Sequence, residues 1–158
     1  MLTFPVHIPF VEQLGFELLA MGEGDAEIAV NLREEQCNSF KVAHGGLTMT
    51  LLDVVMAHAA RSVNRGQPNF GPGVVTIEMK TSFMRPGLGR LLGKGRLLHR
   101  TATLAFCEAS VFDEGGRLCA HASGTFKYLQ ALPAGARSTQ PLQTRGTPAP
   151  HFGGSGSD

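Results

Sequence analysis

Between Lys41 and Arg61 the chain carries one formally charged side chain, Asp53, inside the string GGLTMTLLDVVMAHAARS at 45–62. No proline interrupts this stretch, glycines open it and NRGQP follows it. That length and punctuation predict one long helix rather than a strand. A helix apolar nearly all round has to be covered on most sides. The flanks supply strands to do so. Before it, PFVEQLG suits a short helical turn, and FELLAMGEGDAEIAVNL splits at Gly22 and Gly24 into two apolar runs, the signal of a hairpin. After it come four strand-like stretches, VVTIEMKTSF, GRLLGKGRLL, TLAFCEASVF and RLCAHASGTFKYL. In the first, Val75, Ile77, Met79, Thr81 and Phe83 alternate with Thr76, Glu78, Lys80 and Ser82, which predicts one apolar and one polar face. The separators RPG at 85–87 and DEGG at 113–116 read as the turns of an antiparallel meander. Two strands, one helix and four strands make an α+β protein, an antiparallel sheet curled about a central helix.

At 158 residues the chain fits a single domain with a real core and leaves no room for a separate cofactor domain. We place that domain at 1–130 and read 131–158, rich in Pro, Gly, Ser and Thr, as a flexible tail that cannot offset its own ordering entropy. Apolar residues make up 42% and charged residues 17%, with no apolar run near the roughly 20 residues that cross a bilayer, so a soluble protein is expected. A net charge of +1 with dispersed signs gives no footprint for nucleic acid and no polybasic segment for a membrane. Cys37, Cys107 and Cys119 are odd in number, lack metal-ligand spacing and follow no secretory signal, which points to a reduced, cytoplasmic setting and to no metal site. Cys107 and Cys119 read as small buried hydrophobes. His58, His99 and His121 read as structural.

Asp53 is the anomaly. Aspartate is a poor helix-interior residue, and an ionised carboxylate among Leu51, Leu52, Val54 and Val55 is costly without partners. It could reach solvent at a gap in the packing or accept bonds from a loop; it could also do chemistry. His44-Gly45-Gly46 opens the same helix, where first-turn amides and the positive end of the helix dipole can hold a carbonyl oxygen as negative charge develops on it. The glycines alone could equally serve a tight entry into the helix. Gly45 and Asp53 are eight positions apart. That is about 12 Å along a helix, too far to serve one reacting carbonyl within one subunit. Two such helices packed antiparallel about a twofold axis would bring Asp53 of each to the Gly45 end of the other, so the spacing predicts a dimer.

Asn38, His44, Gly45, Gly46 and Asp53, in NSFKVAHGGLTMTLLD, together with VVTIEMKTSFMRPG, resemble the hotdog-fold thioesterases, specifically the phenylacetate-pathway PaaI-like group, over roughly residues 10–129. The resemblance implies the hotdog fold and hydrolysis of an acyl-CoA substrate, with no metal or redox cofactor. It implies that the Gly45 amide polarises the thioester carbonyl and that Asp53 of the partner subunit is nucleophile or general base. It further implies that Asn38 orients the nucleophile or thioester, His44 supports the loop, Thr76 holds the attacking water, and Gly46 and Arg85 contact substrate, Arg85 at the CoA phosphates. A homodimer or a dimer of dimers is expected. Asn38 could merely cap its loop, and Thr76 could be an ordinary polar-face residue. A dehydratase or hydratase on the same fold would use a histidine with an acidic partner and a helical Glu that this sequence lacks. A noncatalytic acyl-CoA sensor would have no use for Asp53. Aryl-acetyl, hydroxybenzoyl and medium-chain acyl groups all remain open.

Overall fold

A computed structural model describes residues 1–129, so the 131–158 tail lies outside the described residues. The elements follow the expected order. A short α1 (Pro9–Gln13) precedes the hairpin β1 (Glu17–Gly22) and β2 (Asp25–Asn31); then come α2 (Gly45–Ser62), β3 (Val74–Phe83), β4 (Arg90–Arg100), β5 (Leu104–Phe112) and β6 (Leu118–Tyr128). The β1–β2 turn has φ of 54° at Glu23 and 93° at Gly24, two left-handed positions of the kind a tight hairpin requires.

All six strands form one antiparallel sheet in the order β1-β2-β4-β5-β6-β3. The meander expected over the last four strands holds only from β4 to β6. β4 has β2 on one edge, with Asn31 opposite Arg90, and β5 on the other, which leaves β3 the free edge of β6. RPG at 85–87 is therefore a crossover and not a hairpin turn. It is stitched to the loops before α2 by Ala43 N–H to the Gly87 carbonyl and Leu32 N–H to the Gly89 carbonyl, both 3.0 Å.

The sheet wraps α2 because its concave face is lined by small residues. Gly93, Gly95, Ala105, Cys107, Ala109, Ala120 and Ala122 face the helix, and Leu51, Leu52, Val55, Met56 and Ala59 fill the space above them at 0% exposure. At Gly95 the approach is backbone to backbone: a Cβ there would stand 2.6 Å from the Val55 carbonyl oxygen. The N-terminal segment straps the far side of α2. Phe4, Val6 and Val11 are buried, and the Phe4 ring meets the edge of His58 at 5.2 Å. One stripe of α2 stays open or half-open: Gly46, Met49, Thr50 and Asp53, at helical i, i+3, i+4, i+7 spacing.

β3 departs from simple alternation. Thr76 lies opposite Phe126 and Glu78 opposite Thr125, so Ile77 is an extra residue in a bulge. A one-residue slip exchanges the faces of a strand. Thr76, expected on the polar face, shares the inner face with buried Phe126, while Val75 and Ile77, expected to be inward, are 43% and 54% exposed.

Candidate active site

His44 is the N-cap of α2, with φ −61° and ψ 137°, and its Nδ1 accepts the Gly46 N–H at 2.9 Å. An accepting Nδ1 places the ring proton on Nε2. His44 is itself fixed by its N–H to the Gln36 carbonyl at 2.9 Å. His44 therefore caps α2, and the cap divides the two glycines. The Gly46 amide is occupied by the cap. The Gly45 amide makes no hydrogen bond among the described residues and stands at the first turn, where the helix dipole is positive.

Asn38 folds its own loop. Its Oδ1 accepts from the Phe40 and Val42 amides at 2.9 and 3.4 Å, around a left-handed Lys41 (φ 59°). The side-chain NH2 has no partner among the described residues and is the group left to donate. Asn38, Gly45 and Arg85 line one cavity of about 390 Å³, shared with Phe83, Met84 and Cys119. Arg85 Nη1 donates to the Leu118 carbonyl at 3.1 Å, a solvent-exposed bond that keeps this cation beside the cavity.

Asp53 lies elsewhere. It borders a second cavity of about 520 Å³ whose other walls include Met49, Val54, Thr76 and Met79. Thr76 Oγ1 donates to Asp53 Oδ1 at 2.5 Å. Burial pushes the Asp53 carboxyl above its ordinary range, and the Thr76 hydrogen bond opposes that shift by favouring the anion. Among the described residues no cation pairs with Asp53. A desolvated carboxylate with one hydroxyl donor is suited to accept a proton or to attack a carbonyl.

The two cavities have no lining residue in common. Gly45 with Asn38, and Asp53 with Thr76, are therefore two separate groups within one chain. Sequence alternation concealed the Thr76–Asp53 pair because the bulge at Ile77 leaves no mark in the pattern. The roles of Gln36 and Arg33 went unforeseen as well: Gln36 Nε2 and Arg33 Nη2 hold the Leu14 and Gln13 carbonyls at 2.8 and 3.1 Å, tying α1 to the Asn38 loop.

Among the described residues His58, His99, His121 and Cys107 line neither cavity, while Cys119 lines that of Gly45. His58 is buried, and desolvation lowers its pKa to about 4 despite its hydrogen bond to the Val54 carbonyl at 2.7 Å. His99 stacks on Phe106 at 6.2 Å, and His121 lies 3.6 Å from Glu108 on the outer sheet face. Burial pushes the Cys107 thiol up to about 12 and raises that of Cys119. No His, Cys, Asp or Glu cluster among the described residues could hold a metal ion. No helix among them is long and apolar enough to cross a membrane.

The chain is similar to human acyl-coenzyme A thioesterase 13, with 29% identity over 111 residues that cover 68% of this chain and 76% of the relative. The fold superposes on the conserved protein PA5202 of Pseudomonas aeruginosa with a TM-score of 0.72 and 29% identity, covering 79% of this chain and 97% of that one. A mutant of the phenylacetic acid degradation protein PaaI of Thermus thermophilus matches with a TM-score of 0.66 and 28% identity, over 77% of this chain and 100% of that one. The family model of the thioesterase superfamily matches residues 40–120, a span that holds α2 and β3 to β5 with Gly45, Asp53 and Thr76, and the chain belongs to that superfamily.

Proposed function

We propose that the protein is an acyl-CoA thioesterase that hydrolyses the thioester of an aryl-acyl or medium-chain acyl-CoA at a site shared by two subunits. The Gly45 amide would receive the carbonyl oxygen, and Asp53 of the partner subunit would act as nucleophile or general base. The observation that carries this reading is the carboxylate of Asp53, half-buried in an apolar cavity with Thr76 as its one hydrogen-bond donor among the described residues. Its resemblance to the human acyl-coenzyme A thioesterase supports the same chemistry.

In the general-base form Asp53 takes a proton from water and the water oxygen bonds to the carbonyl carbon. Negative charge moves to the carbonyl oxygen at the Gly45 N–H, a developing charge that a fixed donor stabilises. Collapse breaks the C–S bond, and the thiolate leaves with that proton as free CoA. In the nucleophilic form the Asp53 carboxylate bonds to the carbonyl carbon, the C–S bond breaks and the CoA thiolate leaves to be protonated by water; a second water then cleaves the acyl-aspartyl anhydride, releasing the acyl group as its acid and returning Asp53 as the carboxylate. Neither form requires a metal or redox group.

The shared site is supported by the two separate cavities and by the open α2 stripe, where Met49 is 39% exposed beside Asp53. A second copy running antiparallel on that stripe covers it and brings each Gly45 to the other's Asp53. Asn38, through its free amide, and Thr76 would position the thioester and water, with Arg85 at the CoA phosphates. Incubation with a panel of acyl-CoAs, with free thiol as the readout, tests the function. Release from none of them would reject it.

A further inference from the structure

We infer that Phe10, on α1, is the specificity-determining wall for the acyl arm of the substrate, and that the arm it bounds is uncharged. This rests on the thioesterase reading above. A thioester carbonyl has two arms, and here two unlike cavities are available to them. The Gly45 cavity offers the Arg85 cation and the Asn38 amide, which suit the phosphate-bearing CoA arm. Besides Asp53, Thr76 and Thr50, the Asp53 cavity is walled by Ile8, Phe10, Val11, Met49, Val54 and Met79, and among the described residues no cation lines it. Burying an acyl carboxylate there would desolvate an anion with no counter-ion, next to a second carboxylate.

Among these walls Phe10 alone is both stiff and dispensable to the core. Val11 and Val54 are 2% and 9% exposed and Ile8 packs against the same core cluster, so these three belong to the packed interior. Methionines adapt to many shapes and discriminate poorly. Phe10 is 59% exposed, yet the short helix that carries it is fixed. Val11 anchors it below, Arg33 and Gln36 hold the carbonyls at its end, and His7 and Glu12 clasp it at 3.1 Å. A ring on a fixed backbone has only two torsions with which to give way, and at an apolar wall one methylene is worth roughly 10–200-fold in kcat/KM.

The test measures kcat/KM by thiol release for wild type, Phe10→Ala and Phe10→Trp on acetyl-, butyryl-, hexanoyl-, octanoyl- and phenylacetyl-CoA, and for wild type on adipoyl-CoA. Phe10→Ala should raise the octanoyl-to-butyryl ratio by about tenfold or more, Phe10→Trp should lower it, and adipoyl-CoA should fall about a hundredfold below hexanoyl-CoA. Phe10→Leu serves the same test if Ala unseats α1. Active enzyme with superimposable profiles, or with adipoyl-CoA as good as hexanoyl-CoA, overturns this inference and leaves the thioesterase reading standing. Wild type inactive on every acyl-CoA removes both.

Discussion

Thr76 Oγ1 donates to Asp53 Oδ1 across 2.5 Å, joining the bulge of β3 to the middle of α2. The bond favours the ionised carboxyl while burial disfavours it. If Asp53 is the base proposed above, it must be deprotonated to act, and activity should be lost as pH falls through its pKa. Burial places that acid limb above the ordinary aspartate range. Thr76→Val removes the donor that favours the anion and should move the limb to still higher pH. A pH profile of kcat/KM unchanged by the substitution would separate Thr76 from the carboxylate.

Asp53→Asn keeps the volume of the side chain and removes its charge. Turnover should fall about 10²–10⁴-fold with folding intact. Retention of more than about a tenth of wild-type turnover, a loss under ~1.4 kcal/mol in barrier stabilisation, would show that another group does the chemistry.

If each site joins Asn38 and Gly45 of one chain to Asp53 of the partner subunit, two dead variants can rescue one another. Asn38→Ala and Asp53→Asn are unfolded and refolded together in equal amounts. Random pairing makes about half the dimers mixed, each with one sound site of two, so activity should recover to roughly a quarter of wild type. No recovery, with exchange of differently tagged chains verified by mass spectrometry, would reject the shared site.

His58 is buried and neutral, with its pKa lowered from 6.5 to about 4 by desolvation. Above pH 6.5 neither folded nor unfolded chain protonates it. As pH falls below that value the unfolded chain takes a proton that the folded chain refuses, so stability drops until about pH 4. The loss attributable to this group is about 3 kcal/mol. Denaturant unfolding of His58→Gln should show a shallower fall over that window; an identical slope would mean His58 does not drive it.

Gly95→Ala should lower Tm by roughly 8 °C, about 2 kcal/mol of overpacking in a domain of this size. Its Cβ would press on the Val55 carbonyl at 2.6 Å, backbone that cannot rotate away, whereas a Cβ at Gly22 meets nothing within 4 Å. Gly22→Ala is the control, and equal melting of the two variants would contradict the close helix–sheet approach.

What the sequence by itself determined was local. An uninterrupted apolar run between glycines could only be a covered helix, and its ends at Gly45 and Ser62 match the string read from residue types. The Gly22/Gly24 split placed a hairpin because glycine punctuation is a local signal, and Gly24 takes one of the two positive φ values of the turn. Asp53 stood out for the same reason, as one charge in an apolar segment, and the spacing of Gly45 from it followed from helix rise alone. Strand partners are different in kind. Whether β3 pairs with β4 or with β6 depends on which edges β2 and β5 already occupy, a competition between segments far apart in the chain that no local pattern records. The bulge at Ile77 is decided the same way, by register against β6, and it turns Thr76 from an outward polar residue into the donor on Asp53. Which glycine keeps a free amide was likewise tertiary, because it depends on the His44 ring folding back onto Gly46. The sequence chose the chemical groups; the packing of distant segments aimed them.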